Sequence, residues 1–327
     1  MGGFFGLELP VFNNFPQNDG RRSVMVNSGR AALEYILRSL ARDLGSGFHV
    51  HVPYYTCATV MEPLVRLGIP HSFYRIDEFL EIDETCFPRI GEGECLIYTN
   101  YFGMKQAYVE KLAARFGKTL IIDNCQALYA ESPEGSAALY SPRKWSGLAD
   151  GGVAVLDAPA VVVPETDESW SAASYLLRSM ECGVEDASGD CQRSEDRLTG
   201  APLMNMSLLT RRMICGIDYE AASKKRIENF LCLHEQIGHL NKLSFDPCSG
   251  FVPFCYPLWT NLPDLRDHLI DRHILIPVLW HDLVSSLPQG SVEMNLVRGL
   301  LPLPVDQRYS KDDMLVIAEA IGVFYGL

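Results

Sequence analysis

The sequence predicts an α/β protein with a mostly parallel central sheet sandwiched by helices, followed by a smaller α+β domain. From about residue 24, short apolar runs alternate with segments of helical periodicity, as in βαβ units around a parallel sheet. Past residue 157 this alternation weakens, and helices precede a last group of strand-like pieces. We therefore expect a large domain over 1–215, which includes an N-terminal arm, and a small domain over 216–327.

The elements of the large domain follow in chain order. Ser28 is expected to cap a first helix, AALEYILRSLARDL, because a serine hydroxyl can accept from free N–H groups at a helix start. Helical spacing predicts a second helix from near Thr56 and a third through YVEKLAARFG, which ends at Gly117. Apolar runs predict strands at 48–52, 71–76, 95–100, 118–123 and 151–157.

The second half of the chain has a different pattern. The segment 183–200 is polar, rich in Gly, Ser and Asp and without period, which predicts a mobile loop. Helical spacing predicts helices through 207–240. YPLWTNL and HILIPVLW are expected to be strands, and Ser310 is expected to cap a final helix, KDDMLVIAEAIGVFYG.

Composition and charge exclude several classes of protein. The chain has 327 residues, of which 47% are hydrophobic, so it can build a large core. Its net charge of −13 argues against a general nucleic-acid binder, because phosphate backbones attract cationic surfaces. The N-terminus lacks the basic start and apolar run of a secretory signal, and no apolar run approaches about 18 residues. These features predict a soluble, cytoplasmic protein without a membrane partner.

The cysteines and histidines do not predict a metal site. The ten cysteines are scattered, without a CxxC pair and mostly in apolar stretches, which is typical of reduced, buried thiols. His49 and His51 are expected to share one face of a strand, but no third ligand lies nearby in the sequence.

Polar groups interrupt apolar runs at three places where a parallel sheet would bind a ligand. Asn27, Ser28 and Gly29 open a helix whose free N–H groups favour a phosphate, although taken alone this pattern is more typical of an ordinary N-cap at Ser28. Asp123 ends a buried strand, where its carboxylate needs a cationic partner or caps the following turn. Lys144 lies in a loop rich in Pro, Ser and Gly, beside Arg143 and Trp145.

The order of these three places favours one cofactor. A lysine on its own in such a loop is commonly a surface residue, whereas a Schiff-base lysine needs a partly desolvated site near other cations. A phosphate-binding helix start, a carboxylate under a protonated pyridine nitrogen and a Schiff-base lysine together predict a site for pyridoxal 5′-phosphate (PLP) on Ser28, Asp123 and Lys144.

Five motifs along nearly the whole chain resemble one family, the DegT/DnrJ/StrS sugar aminotransferases, which are PLP-dependent enzymes of fold type I. The most specific is YTNYFGMKQAYVEKLAARFGKTLIIDNCQAL, which is similar to the family stretch ending in an acidic residue and Ala-Gln-Ala. The others are SGRAAL, VPYYTCATVMEPLVRLGIP, LYSPRKWSGLADGG and LPLPVDQRYSKDDMLVIAEAI.

The resemblance implies roles for individual residues. Asp123 would pair with the pyridine nitrogen, Gln126 would lie beside the phenolic oxygen and Lys144 would form the Schiff base. Ser28, Gly29 and Arg30 would contact the phosphate. The resemblance also implies a homodimer with active sites at the interface, an amino donor such as glutamate or glutamine, and a nucleotide-linked keto-sugar as the acceptor.

The sequence departs from the family pattern at several positions. Cys57 stands where an aromatic residue commonly stacks on the cofactor ring, so Tyr55 or a smaller group would cover it. Leu139 replaces a phosphate-contacting serine, which leaves Ser141 or Ser28 for that role. Asn100 stands where a histidine is common, and the guanidinium of Arg30 replaces a threonine hydroxyl.

Two other functions stay open at this point. The same cofactor could support a dehydration, although relatives that dehydrate carry histidine in place of the lysine, and Lys144 is present here. Alternatively, the changes at Cys57 and Leu139 could mark a degenerate binding or regulatory relative that retains Asp123 and Gln126.

Overall fold

The computed structural model describes residues 6–16, 22–45, 48–157, 161–163, 165–262, 264–285 and 287–326, and the architecture below is that of these residues. Parts of the expected N-terminal arm, at 1–5 and 17–21, lie outside them. The described strands form a seven-stranded sheet in the order β1-β7-β6-β5-β4-β2-β3 and a separate pair, β8-β9. Their bounds are β1 (Ser23–Val26), β2 (His49–Pro53), β3 (His71–Tyr74), β4 (Glu94–Thr99), β5 (Leu120–Asp123), β6 (Ala137–Tyr140), β7 (Gly152–Val155), β8 (Tyr256–Trp259) and β9 (Leu300–Leu303).

Helices cover both faces of the large sheet. Strands β2 to β6 pair in parallel, and β7 runs antiparallel to both β6 and β1. The helices are α1 (Gly29–Leu44), α2 (Met61–Arg66), α3 (Gln106–Phe116), α4 (Ser174–Cys182), α5 (Ser188–Asp196), α6 (Leu208–Cys215), α7 (Tyr219–Ile237), α8 (Leu265–Ile270), α9 (Val292–Gly299) and α10 (Lys311–Tyr325). No helix in the described ranges has the length and apolar content that a bilayer crossing requires.

The apolar strands are buried because both faces of the sheet are covered. All four residues of β5, β6 and β7 are buried, as expected for the centre of a sheet between two helical layers. One core packs on the α1 side and a second on the opposite face. A third core forms between α7, α8, α10 and the β8-β9 pair, from Phe230 onward. Met294 and Leu296 pack instead against the large sheet, so the division at 215/216 stays a prediction.

Most predicted elements of the large domain are confirmed to within a few residues. The strands at 48–52, 71–76, 95–100, 118–123 and 151–157 correspond to β2, β3, β4, β5 and β7. Ser28 caps α1 by accepting from the Ala31 N–H at 3.1 Å. Gly117 ends α3, and a capping box of Ser310 and Asp313 begins α10.

Two predictions for the second half of the chain are wrong. The segment 183–200 contains helix α5 rather than an irregular loop, because Ala187, Ser194 and Leu198 are buried against neighbouring elements. HILIPVLW contains no strand, since His273 and Trp280 at its two ends have positive φ angles, which a strand does not accept. The partner of β8 is β9, which the sequence did not predict, and β6 was also missed.

A close backbone contact fixes the start of α1 against β7. A Cβ atom on Gly152 would lie only 2.0 Å from the Ser28 carbonyl oxygen, so this approach requires glycine. Beside it, the Gly151 N–H donates to the Asn27 carbonyl at 2.7 Å. The Asp150 carboxylate, which is buried, accepts from the backbone and hydroxyl of Ser207 at 2.8 Å each. The Asp-Gly-Gly sequence therefore joins β7, the start of α1 and the start of α6.

This contact predicts a large loss of stability in Gly152→Ala. The added methyl group would have to displace backbone rather than a flexible side chain, which should lower the free energy of unfolding by about 3 kcal/mol. Gly322→Ala is the control, because its Cβ would enter open space on α10 and should raise stability by about 0.5–1 kcal/mol. Urea denaturation measures both variants, and equal stabilities would show that β7 and α1 do not approach so closely.

Candidate active site

The sequence-predicted residues meet at one cavity of about 220 Å³ at the carboxyl ends of the sheet strands. It lies where β5 and β6 end and α1 begins. Seven of the eight predicted site residues line it, namely Ser28, Gly29, Arg30, Cys57, Asp123, Ser141 and Lys144. The eighth, Gln126, does not.

The start of α1 forms one wall of the cavity. The Ala31 N–H donates to the Ser28 hydroxyl, and the Ala32 N–H donates to the Ser28 carbonyl. The N–H groups of Gly29 and Arg30 lie in the first turn, before the point at which the helix itself provides carbonyl acceptors. Such N–H groups and the helix dipole favour an anion. Gly29 also allows a tight fit, since its Cβ would lie 3.4 Å from the Ser141 Cβ. The absence of a side chain on Gly29 thus lets Ser141 pack directly against the start of α1.

Asp123 forms the opposite wall, where β5 ends. Its side chain is buried, and Oδ1 accepts from the Cys125 N–H at 2.9 Å. This bond spans two residues, so Asp123 does cap the following turn, which was the alternative interpretation of its position. The same carboxyl group lines the cavity, and therefore the structural role and a ligand contact are compatible.

Lys144 follows β6 at the end of a short 3₁₀ turn, Pro142–Lys144, and points into the cavity, through which its side chain is accessible to solvent. Burial by the surrounding protein lowers the pKa of its ammonium, but Cys125, Cys57 and Asp123 raise it, and the net direction is upward. Burial also raises the pKa of the Cys125 thiol well above its usual range, so that thiol is neutral near neutral pH. Asp123 is then the carboxylate that stabilises the Lys144 cation, while Arg143 opposes it.

Comparison with solved structures reveals the fold. The sugar aminotransferase CalS13 from Micromonospora echinospora superposes with a TM-score of 0.61 at 18% identity, over 92% of this chain and 87% of that one. S. venezuelae DesV, in complex with a ketimine intermediate, gives 0.62 at 19% identity over 92% and 84%. A DegT DnrJ EryC1 StrS aminotransferase from Brucella abortus gives 0.62 at 18% identity over 94% and 87%. The chain has the fold of the sugar aminotransferases.

The predicted fold class, PLP-dependent transferase fold type I, is therefore confirmed, as is the family resemblance at the level of the fold. In sequence, no protein-family model matches this chain and no curated protein is significantly similar to it.

The cavity geometry changes the expectation for Arg30. Its Nη1 donates to Glu62 Oε2 at 2.9 Å and to the Leu198 carbonyl at 3.0 Å. One guanidinium nitrogen is thus already committed to protein acceptors, where the sequence suggested that the guanidinium replaces a phosphate-binding hydroxyl. In this protein the Arg30 side chain ties α1 to α2 and to the segment that follows α5.

Two residues expected near a cofactor ring are not among the residues that line this cavity. Gln126 is buried outside the cavity lining, and its Oε1 accepts from the Phe102 N–H at 3.1 Å. Tyr55 is fully buried in the core, with its ring 4.4 Å from that of Trp280. Cys57 does line the cavity, so this position presents a thiol rather than an aromatic face.

Several residues that the sequence did not single out as ligand contacts also line the cavity, among them Thr59, Cys125, Arg143 and Glu195. The sequence indicates Arg143 only as a cation near Lys144. Glu195 belongs to the polar segment predicted to be a loop, and no local pattern connects it with the site. The Arg143 guanidinium and the Glu195 carboxylate form an ion pair at the cavity.

Thiols and imidazoles elsewhere are only partly as predicted. All ten cysteines are free, but only Cys95, Cys125 and Cys255 are buried, so the expected burial of the others is wrong. The rings of His49 and His51 share one face of β2, as predicted, with centroids 4.8 Å apart. Across the described ranges, no three His, Cys, Asp or Glu side chains are placed to hold a metal ion.

Trp145 anchors the loop that carries Lys144. Its indole Nε1 donates to the Cys125 carbonyl at 3.1 Å, and its own carbonyl accepts from Gln307 Nε2 at 2.8 Å. The Arg226 guanidinium stacks 4.5 Å from the indole ring and binds Gln307 Oε1 at 2.8 Å. Burial lowers the pKa of Arg226 to about 10, so it remains a cation at neutral pH. The lysine loop is therefore clamped to the turn after β5 and to the C-terminal part of the chain.

This arrangement predicts that Trp145→Phe destabilises the protein. The substitution leaves the Cys125 carbonyl without its donor and opens space under Arg226, which should lower the free energy of unfolding by about 2–3 kcal/mol. Phe79→Leu is the control, because the Phe79 side chain is 50% exposed and its replacement should cost about 0.5 kcal/mol or less. Equal midpoints in guanidinium denaturation would contradict the anchoring role.

Proposed function

We propose that this chain binds PLP in the cavity between α1, β5 and the Lys144 loop and acts as an aminotransferase. The observation that supports this most is the joint presence of Lys144 and Asp123 in one cavity with the start of α1, on the fold of the sugar aminotransferases. Lys144 would bind the cofactor covalently, Asp123 would pair with its ring nitrogen, and the Gly29 and Arg30 N–H groups would hold its phosphate together with the Ser28 and Ser141 hydroxyls. Cys57 would lie against the ring.

The donor set of the cavity suits this cofactor. The anion-binding end is formed by backbone N–H groups and two hydroxyls, which match phosphate oxygens. The Asp123 carboxylate has one oxygen fixed by Cys125, and a carboxylate held in this way can accept from a protonated nitrogen. Gln126 beside a ring oxygen stays a prediction, because its Oε1 is bound to Phe102.

In the proposed reaction this chain supplies a base and fixed charges. Bound PLP would act as an electron sink for a carbanion at the substrate carbon. Lys144, once released as a neutral amine, would take the proton from that carbon and return it to the neighbouring position. Asp123 would keep a proton on the ring nitrogen, and burial of its carboxylate strengthens this interaction. A keto-sugar as acceptor is supported by the family resemblance and by the name of a structural neighbour, the sugar aminotransferase CalS13. Glutamate or glutamine as donor is supported by the family resemblance alone.

The Lys144 assignment predicts the loss of covalent cofactor in Lys144→Ala. Wild-type protein incubated with PLP should absorb visible light, and borohydride should fix the cofactor to the peptide that contains Lys144. The variant should show neither property, whereas Lys111→Ala, at an exposed position on α3, should behave as wild type. Peptide mass mapping after reduction makes the measurement, and a fixed cofactor in the Lys144 variant would refute the assignment.

A second measurement separates transamination from dehydration at the same site. With nitrogen-labelled glutamate and a nucleotide-linked keto-sugar, only transamination places the label in the sugar product. Label in the product supports the proposed function, and a dehydrated, unlabelled sugar supports the alternative.

We also propose that the protein is a homodimer, and an apolar surface next to the site supports this. Trp170, Leu177, Met180 and Val184 are each between 66% and 85% exposed, and α4 has no fully buried residue. A patch of this kind on a monomer marks an interaction surface. Helix α4 contacts α5, which carries Glu195 of the cavity. A partner that covered α4 would therefore lie close to the active site.

The proposed interface predicts the effect of a double variant on size. Leu177→Asp combined with Met180→Asp should convert a wild-type dimer into a monomer. The interface would otherwise have to bury two carboxylates that have no cationic partner. Leu315→Asp, at an exposed position on α10, should leave the dimer intact. Light scattering coupled to size-exclusion chromatography measures the mass, and a wild-type monomer at micromolar concentration would exclude the dimer.

A further inference from the structure

The ion pair of Arg143 and Glu195 lies in the wall of the Lys144 cavity. Arg143 is 11% exposed and Glu195 is 50% exposed, and both residues line the cavity. Nη2 of Arg143 donates to Glu195, whereas the buried Nε has no hydrogen-bond partner among the described residues. A guanidinium can donate five hydrogen bonds, so Nε is an unused, desolvated donor of the residue that precedes Lys144.

The backbone that carries Glu195 is held independently of this pair. Arg197 binds both carboxylate oxygens of Asp167 at 2.8 and 3.0 Å, and the Leu198 carbonyl accepts from Arg30. The end of α5 therefore stays in place when the Glu195 side chain rotates away. Because Glu195 is half exposed, its carboxylate is solvated in either position, and the pair is weak enough to exchange.

We propose that Arg143 is an anion-binding subsite of the cavity and that Glu195 is its exchangeable counter-ion. A carboxylate or phosphate group of a ligand would take the place of Glu195 and receive two parallel hydrogen bonds from the guanidinium, the geometry that arginine favours. The inference rests on the proposed function only for the source of the anion, which is either the cofactor phosphate or a carboxylate of the amino donor.

Charge in the cavity favours the exchange. With Glu195 in place, the lining contains the cations Arg30, Arg143 and Lys144 and the anions Asp123 and Glu195. The cations of the lining thus exceed the anions by one, and the excess rises to two once Glu195 has turned outward, although the protein as a whole carries a net charge of −13. An anion that enters replaces the negative charge of the Glu195 carboxylate, so the excess of positive charge in the cavity returns to its former value.

Titration calorimetry on the full chain tests the subsite in two arms. In the first, protein freed of cofactor is titrated with inorganic phosphate. Arg143→Gln should weaken binding at least about tenfold, as expected for the loss of a charge-assisted, bidentate contact. Glu195→Gln should tighten it about threefold by removing the competing carboxylate. Arg193→Gln and Glu185→Gln change the same charges at exposed positions outside the cavity lining and should match wild type.

In the second arm, protein loaded with PLP is titrated with succinate, a dicarboxylate without an amine. Weaker succinate binding in Arg143→Gln assigns the subsite to a substrate carboxylate, whereas an effect confined to the first arm assigns it to the cofactor phosphate.

Unchanged phosphate affinity in both Arg143→Gln and Glu195→Gln overturns the inference. If Arg143→Gln fails to fold by circular dichroism, Arg143→Lys replaces it and Glu195→Gln must still bind phosphate more tightly. A chain that takes up no PLP would refute the proposed function, and the first arm would still test the subsite.

Discussion

The contact between Gly152 and the Ser28 carbonyl determines where the candidate site can form. A side chain at residue 152 would push β7 away from the start of α1, and the free N–H groups of Gly29 and Arg30 would move with it. Gly151 and Asp150 extend this contact to Asn27 and to the start of α6. The two glycines thus position the start of α1, whose backbone N–H groups are hydrogen-bond donors in the cavity wall.

The part of the cavity wall that contains Lys144 is positioned by side-chain contacts rather than by a close backbone approach. The Lys144 loop depends on the indole of Trp145, which binds the turn after β5 and lies under the Arg226 guanidinium. Arg226 is buried, and among the described residues no carboxylate lies within ion-pair distance of it. Its charge is stabilised by three carbonyl-type acceptors, by the indole face and by the more distant carboxylate of Asp306. Since Arg226 and Gln307 belong to the C-terminal part of the chain, the position of Lys144 depends on how that part packs.

Electrostatics in the cavity differ from those of the surface. The protein is acidic overall, yet three cations line this cavity, and Asp123 and Glu195 balance two of them. Asp123 is fixed by the Cys125 N–H, while Glu195 is half exposed on α5. The two carboxylates therefore have different mobility, and only the second can give up its place to an incoming anion without loss of the local structure.

The sequence by itself determined the fold class, the cap at Ser28, the strand-end position of Asp123 and the lysine of the SPRKW loop. These features depend on local periodicity, on capping chemistry and on the order of polar groups along apolar runs, all of which can be read within a few residues. The tertiary structure alone decided the pairing of β8 with β9, the helix in 183–200, the engagement of Gln126 with Phe102 and the ion pair of the cavity. Those depend on contacts between residues far apart in the chain, such as Arg143 with Glu195, 52 positions away, and Trp145 with Gln307, 162 positions away. No local sequence pattern indicates such a contact, because tertiary packing decides which distant residues meet.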